Sequence, residues 1–122
     1  MAKDSVTLEK SKEFAIRIVR LYQYLYNERK EYVLSKQILK SGTSIGANLS
    51  EALYGITKKD FLSKVYISLK ECAETLYWLE LLYKTSYITE SEFDSLNKDC
   101  TELVKLFTSI AKTTSSNLIS NL

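Results

Sequence analysis

The chain contains no histidine and no proline, and it has only three glycines and two cysteines in 122 residues. Without histidine it lacks the commonest general base and metal ligand, and with them the Glu-x-x-His pairs of di-iron four-helix bundles. Two cysteines are too few for a disulfide framework or a cysteine-only zinc site. The sequence therefore predicts no catalytic residue, no metal site and no cofactor, and it favours a protein that is not an enzyme.

Long apolar runs are absent as well. No apolar run reaches the length of about 18 residues that a membrane span needs, and the N-terminus lacks the apolar core of a signal peptide. We therefore expect a cytoplasmic protein with no membrane contact. The length predicts one domain over residues 1–122. The lack of proline and the shortage of glycine favour long helices joined by short connections.

Apolar and small residues recur at alternating spacings of four and three in four successive segments, which is typical of helices that pack at shallow angles. The predicted seams are Ser11, Ala15, Ile18, Tyr22 and Leu25, widened by Phe14 and Leu21; Leu34, Ile38, Ser41, Ile45, Asn48 and Ala52; Leu62, Val65, Leu69, Cys72, Leu76, Leu79 and Tyr83; and Phe93, Leu96, Cys100, Leu103, Phe107 and Ile110. The pattern predicts helices over 7–27, 32–54, 58–85 and 90–112, followed by a frayed or disordered tail over 113–122. Because the connections are short, we expect an all-α fold, an antiparallel up-down-up-down four-helix bundle.

Capping residues agree with these boundaries. Thr57 with Asp60, and Thr89 with Glu92, have the spacing of capping boxes. Gly55 stands where the end of the second helix would use a left-handed residue. The two cysteines, Cys72 and Cys100, lie at equal distances from the predicted turn between helices three and four, so we expect them in one layer of the bundle. Inert buried thiols are favoured there, with a redox pair as the alternative.

The second predicted helix carries Gly42 and Gly46 in its interior, and each should cost roughly 1 kcal/mol relative to alanine. A helix that accepts this cost usually needs a close backbone approach, so we expect both glycines to pack tightly against a neighbouring helix. Asn48 is predicted at a seam position, where a buried amide fixes register or oligomeric state. Glu51 is predicted to reach a neighbouring helix or subunit.

This segment also carries a family resemblance. Ser44, Ile45, Gly46, Ala47, Asn48 and Glu51 resemble the S-I-x-A-N-I-x-E-G signature of the bacterial "four helix bundle protein" family, also called the 23S ribosomal RNA intervening-sequence protein family. The similarity covers about residues 8–112, and the chain departs from the signature at Leu49 and Ala52. The resemblance implies a homo-oligomer, with a pentamer as the expected number, and no established enzymatic role. A related branch is an accessory protein of the reverse transcriptase in diversity-generating retroelements, so RNA and a reverse-transcriptase-type protein are the implied partners.

Charge is distributed unevenly along the chain. Residues 1–70 hold 13 Lys and Arg against 7 Asp and Glu, whereas residues 71–122 hold 4 against 8. Lys10, Arg17 and Arg20 can share one outer stripe of the first helix, and with Lys36 and Lys40 they form the predicted nucleic-acid surface. An ordinary solvated face is the alternative for each of them. Two functions stay open: a homo-oligomeric scaffold that binds structured RNA weakly, and an adaptor for a protein partner, in a mobile-element or other complex, without nucleic-acid contact.

Overall fold

The computed structural model describes residues 2–120, which form four helices. Helix α1 spans Ala2–Asn27, α2 spans Leu34–Ala52, α3 spans Lys58–Lys84 and α4 spans Glu90–Ser120. Each helix packs on the next one along the chain, and α4 returns against α1, where the packing is least close. The predicted all-α, antiparallel four-helix bundle is confirmed.

The outer helices are longer than predicted. Helix α1 begins near residue 2 because Thr7 is fully buried and donates a hydrogen bond to the Lys3 carbonyl, 2.8 Å away. The tail predicted over 113–122 is wrong for residues 113–120, which continue α4, and residues 121 and 122 lie outside the described part of the chain. Half-buried Thr114 donates to the Ile110 carbonyl at 2.8 Å. Packing thus keeps helical a segment whose Ser and Thr residues have weak helix propensity.

Side-chain caps stand at the predicted starts of α3 and α4. The Thr89 backbone N–H donates to Glu92 Oε1 at 2.8 Å, and the Glu92 N–H donates to Thr89 Oγ1 at 3.1 Å, which confirms a reciprocal capping box. At the start of α3 the Asp60 N–H donates to Thr57 Oγ1 at 3.1 Å.

Left-handed residues end two helices, but Gly55 is not one of them. The positive φ angles belong to Lys30, at 56°, and to Ser86, at 68°, so the prediction for Gly55 is wrong. Around Ser86 the chain ends α3 with a Schellman turn, in which the Ser86 N–H donates to the Tyr83 carbonyl and the Tyr87 N–H to the Leu82 carbonyl. A different reason explains the glycine at position 55, since a Cβ there would lie only 3.0 Å from the Ala52 carbonyl oxygen.

The two α2 glycines do make the predicted close contacts, and both are with α1. A Cβ on Gly42 would stand 2.8 Å from Cγ1 and Cγ2 of Ile18, and one on Gly46 would stand 3.0 Å from Ser11 Cβ. Contacts this short are tighter than ordinary van der Waals packing, so the α1–α2 interface depends on the absence of side chains at these two positions.

Small hydroxyl residues line the interface between α2 and α3. Ser68, fully buried, donates to the Ile45 carbonyl at 2.8 Å, and Thr75 Oγ1 lies 2.9 Å from Ser41 Oγ. Hydroxyl residues therefore occupy buried positions beside those at which the predicted seams had apolar residues. Leu62, Leu69 and Leu76 are half-buried, whereas α3 buries Val65, Ser68, Cys72, Thr75, Leu79 and Leu82. The seams of α1 and α2 also differ by one position from the prediction. Phe14 and Leu21 are buried whereas Ala15 and Tyr22 are half-buried, and Leu49 is buried whereas Asn48 is half-buried.

Candidate interaction surfaces

Two of the five predicted nucleic-acid residues form ion pairs between α1 and α4. Lys10 Nζ lies 3.3 Å from Glu102 Oε1, and Arg17 Nη1 lies 2.7 Å from Asp99 Oδ2. Arg17 also donates to Ser95 Oγ at 2.9 Å. Lys10 and Arg17, two of the basic residues of the first half of the chain, therefore pair with acidic residues of the second half within the monomer and are not unpaired cations.

The other three basic residues lie on outer surfaces. Arg20 is exposed and donates to Gln23 Oε1 on its own helix at 3.4 Å. Lys36 Nζ stands 5.9 Å from the centroid of the Tyr26 ring, and Lys40 is exposed on α2. The structure thus divides the predicted basic face into a paired set on the α4 side of α1 and three residues without an ion pair to the described residues, Arg20, Lys36 and Lys40, which we call the free set.

Glu71 on α3 is the acidic neighbour of Lys40. Partial burial raises the pKa of its carboxyl group, and Glu74 adds to the effect, while Lys40 and Lys70 act in the opposite sense. The ionised carboxylate is therefore less favourable in the folded chain than in the unfolded chain. The stabilisation that protonation provides is complete below the unfolded pKa and is lost as pH rises through the folded pKa.

Glu71→Gln is accordingly expected to raise the melting temperature at pH 7, because it removes a partly buried negative charge while keeping the shape of the side chain. Below about 4.3, the ordinary pKa of glutamate, the wild-type carboxyl is itself neutral and the gain should disappear. Thermal unfolding followed by circular dichroism, at pH 7 and at a pH below about 4.3, measures the difference in melting temperature between the variant and the wild type. A gain that is equal at both pH values would contradict this explanation.

The signature residues of α2 contact mainly their own helix and the neighbouring helices α1 and α3. Ser44 donates to the Lys40 carbonyl at 2.6 Å, and the Asn48 amide donates to the Ser44 carbonyl at 2.8 Å. Half-buried Asn48 therefore makes no bond across the bundle within residues 2–120, and the predicted register bond does not form in the monomer. Glu51 does reach a neighbouring helix, since its Oε1 lies 2.8 Å from Lys64 Nζ of α3. Ala47 remains exposed on the outer surface of α2.

Helix α3 exposes large apolar side chains on the side away from its buried face, with the charged residues Lys70 and Glu80 beside them at helical spacing. Tyr66 and Tyr77 are 48% and 58% exposed, and Ala73 lies between them at helical spacing on the same side. Leu69 and Leu76 are half-buried along its edge. We name these five residues the α3 stripe. No sequence motif marks the stripe.

Comparison with known proteins places the chain in a family. A family model described as 23S rRNA-intervening sequence protein matches residues 3–109. The chain belongs to this family. Among solved structures, a protein of unknown function from the S23 ribosomal protein family of Bacteroides thetaiotaomicron is similar, with 57% sequence identity and a TM-score of 0.89. The match covers 90% of this chain and 98% of that one. No curated protein matches the chain.

The two cysteines of this 23S rRNA-intervening sequence family member lie in one layer, as predicted. Cys100 Sγ is 3.6 Å from the Cys72 carbonyl oxygen, and both residues are fully buried. The thiol contact with Cys100, followed by burial, raises the pKa of the Cys72 thiol far above its ordinary range. Because the thiolate is the reactive form, this environment favours the inert interpretation over the redox pair.

We expect both native thiols to resist a chromogenic disulfide reagent and to react only as fast as the protein unfolds. In guanidinium chloride two equivalents should react at the rate of free cysteine, because the chain then exposes both side chains. A time course of thiol release at neutral pH makes the measurement. One rapidly reacting equivalent in the folded protein would show that the layer around Cys72 and Cys100 opens locally.

Two classes of site are not found in the described part of the chain. No group of three or more His, Cys, Asp or Glu side chains within residues 2–120 could hold a metal ion. No helix over the same residues is long and apolar enough to cross a membrane.

Proposed function

We propose that this protein is a non-enzymatic scaffold that self-associates through the α3 stripe. The observation that carries the proposal is the exposure of Tyr66 and Tyr77 on a helix that already buries a complete face in its own bundle. A helix with one buried face normally presents polar residues on the other, and large exposed apolar side chains there mark an interaction surface. Tyrosine is also enriched in protein interfaces, because its ring is large and its hydroxyl tolerates water.

A closed homo-oligomer is the form of association that we propose, with the pentamer as the number that the family resemblance implies. The opposite charges of the two halves do not support it, because Lys10 and Arg17 pair with Glu102 and Asp99 inside the monomer. The proposal therefore depends on apolar burial at the α3 stripe. A cyclic assembly would cover that stripe on every copy and leave no apolar edge unpaired.

The test is the mass of the protein in solution. Light scattering at micromolar concentration should give a multiple of the 14.0 kDa chain for the wild type and a smaller species for Tyr66→Glu/Tyr77→Glu. Tyr54→Glu/Ile56→Glu is the matched control with the same charge change, because these side chains are 88% and 94% exposed outside the stripe and should leave the mass unchanged. Circular dichroism must show that each variant is folded. A monomeric wild type, or a double variant with wild-type mass, would reject self-association through this face.

A second candidate function is weak binding of structured RNA by the same scaffold. Its support is the free set of Arg20, Lys36 and Lys40, which forms no ion pair with an acidic side chain of residues 2–120. Phosphate contacts release counterions, so affinity should fall by about 0.7–0.9 log units per contact for each log unit of salt. Contacts to phosphate alone carry no sequence information, so we expect little discrimination among RNA sequences.

Fluorescence anisotropy with a labelled RNA hairpin at two salt concentrations tests this candidate. Lys36→Glu/Lys40→Glu should abolish binding, whereas Lys98→Glu/Lys105→Glu, an equal charge change on exposed positions of α4, should weaken it less. Equal losses in the two double variants would assign binding to net charge rather than to the free set. A wild type that does not bind at low salt would favour the adaptor, with a reverse-transcriptase-type or other protein partner and no nucleic-acid contact.

A further inference from the structure

A cavity of about 630 Å³ opens at one end of the bundle, and neither candidate function uses it. It lies between the α2–α3 connection, the first turn of α1 and the last turns of α4. Its apolar lining comes from Ala52, Leu53, Ile56, Phe61 and Ile110. Small-molecule sites in proteins have volumes of about 300–1,000 Å³ and mainly apolar walls, so both the size and the lining suit a ligand.

The mouth of the cavity exposes an unusual amount of apolar surface. Leu53, Tyr54 and Ile56 belong to the connection between α2 and α3, and they are 45%, 88% and 94% exposed. Leu53 and Ile56 also line the cavity. An apolar ligand that enters the cavity and extends past its mouth would cover side chains that water now surrounds, which favours a molecule with an extended alkyl chain.

The charge at the mouth favours a negative head group. Lys3 and Asp4, both from α1, contribute opposite charges, so the remaining charge comes from Lys58 at the first position of α3. Lys3 donates to Ser109 Oγ at 2.7 Å, whereas Lys58 makes no hydrogen bond or ion pair with the other described residues. Lys58 also stands at the positive end of the α3 dipole, where an anion gains a further attraction.

We propose that this cavity binds the alkyl chain of an amphipathic carboxylate of the fatty-acid class, with the carboxylate at Lys58. The apolar wall of Ala52, Phe61 and Ile110, from α2, α3 and α4, contacts the alkyl chain, and Leu53 and Ile56 cover the part nearest the head group. Each methylene that enters the wall should tighten binding about fourfold, because burying one contributes about 0.8 kcal/mol. The site lies at the end of the bundle, whereas the α3 stripe follows the outer side of α3, so ligand binding and self-association can be tested separately.

The experiment titrates the full chain with octanoate, decanoate, dodecanoate and decanol by calorimetry, below the micellar range of each. We expect one equivalent of carboxylate to bind, with affinity that rises along the series. Decanol should bind more weakly than decanoate. Lys58→Gln should reduce the decanoate affinity by about two- to fivefold, as for an exposed ion pair, and leave decanol unaffected.

Two tryptophan variants locate the site. Thr113→Trp places an indole in the cavity and should abolish binding, whereas Ser91→Trp makes a similar change at an exposed position at the start of α4 and should not. Asn117→Trp, one turn further along α4 and also in the lining, repeats the test if Thr113→Trp does not fold. A wild type without saturable dodecanoate binding, or Thr113→Trp binding as Ser91→Trp does, overturns the proposal. Equal affinities for decanoate and decanol overturn the assignment of the head group to Lys58.

Discussion

Leucine in place of Gly46 is expected to lower the free energy of unfolding by about 1–3 kcal/mol, the usual cost of overpacking a well-packed interface. The reason is the position of α1, since a Cβ at residue 46 would lie 3.0 Å from Ser11 Cβ and 3.6 Å from the Ser11 carbonyl carbon. The nearest atoms belong to a short side chain and to backbone, which cannot turn away from a branched side chain. The two helices would have to separate. The midpoint of urea unfolding reports the loss.

Two neighbouring variants serve as controls for Gly46→Leu. Gly46→Ala should change stability little, because a gain in helix propensity of about 1 kcal/mol offsets one tight contact. Ala47→Leu adds the same side chain to the next residue, which is exposed, and should also have a small effect. An unchanged midpoint for Gly46→Leu would show that close approach to α1 is not the reason for glycine at this position.

Ile18→Ala is expected to cost about 2–5 kcal/mol, because it empties a fully buried position between α1 and α2. The γ carbons of Ile18 stand 2.8 Å from where a Cβ on Gly42 would be, so Ile18 fills the space that a side chain at position 42 would need. Urea unfolding of the single variant gives the cost. A change below about 0.5 kcal/mol, the range of surface substitutions, would contradict this packing.

The same contact predicts a change of sign at position 42. Gly42→Ala should destabilise the wild type, because the new methyl group meets Ile18 at a distance that real Cβ atoms do not adopt. In the Ile18→Ala background that obstacle is gone, and the helix propensity of alanine should instead stabilise the protein by up to about 1 kcal/mol. A double-mutant cycle measures the coupling, and purely additive effects would exclude direct contact.

The fold and these glycine contacts could be predicted from the sequence because both follow from local rules. Regular spacing of apolar residues indicates helices, and a glycine inside such a helix indicates a close neighbour. The partner helix could not be predicted, since nothing in the residues around Gly42 and Gly46 distinguishes α1 from α3. Three-dimensional packing was needed to identify Ile18 and Ser11 as the residues in contact.

The exact buried positions were harder to predict because hydroxyl side chains occupy several of them. Thr7, Ser11 and Thr75 each donate to a carbonyl of their own helix four residues earlier, at 2.7–2.8 Å. A hydroxyl bonded in this way can be buried without an unsatisfied polar atom. A pattern read from apolar residues alone therefore moves the seam to Leu69 or Leu76, one position away from Ser68 and Thr75.

The sequence could not predict which of the candidate nucleic-acid residues are paired, for an electrostatic reason. Lys10 and Arg17 do lie on one side of α1, but their partners are 92 and 82 residues further along the chain, on α4. Sequence spacing gives the angular position of a charge on its own helix. It does not give the charge that a distant helix brings opposite, and that neighbour decides whether a lysine or arginine is free.

The place of the α1–α4 seam in the chain predicts the order in which the bundle assembles. The other three interfaces join helices that are consecutive in the chain, so forming each of them closes only a short loop and costs little chain entropy. Helices α1 and α4 come from the two ends of the chain, so their contact closes the longest loop. The bridges across this seam include Lys3 to Ser109, Lys10 to Glu102 and Arg17 to Asp99, and exposed charge pairs add little stability. We therefore expect the three interfaces between consecutive helices to form first, and the α1–α4 seam to close last on folding and to part first when the protein opens.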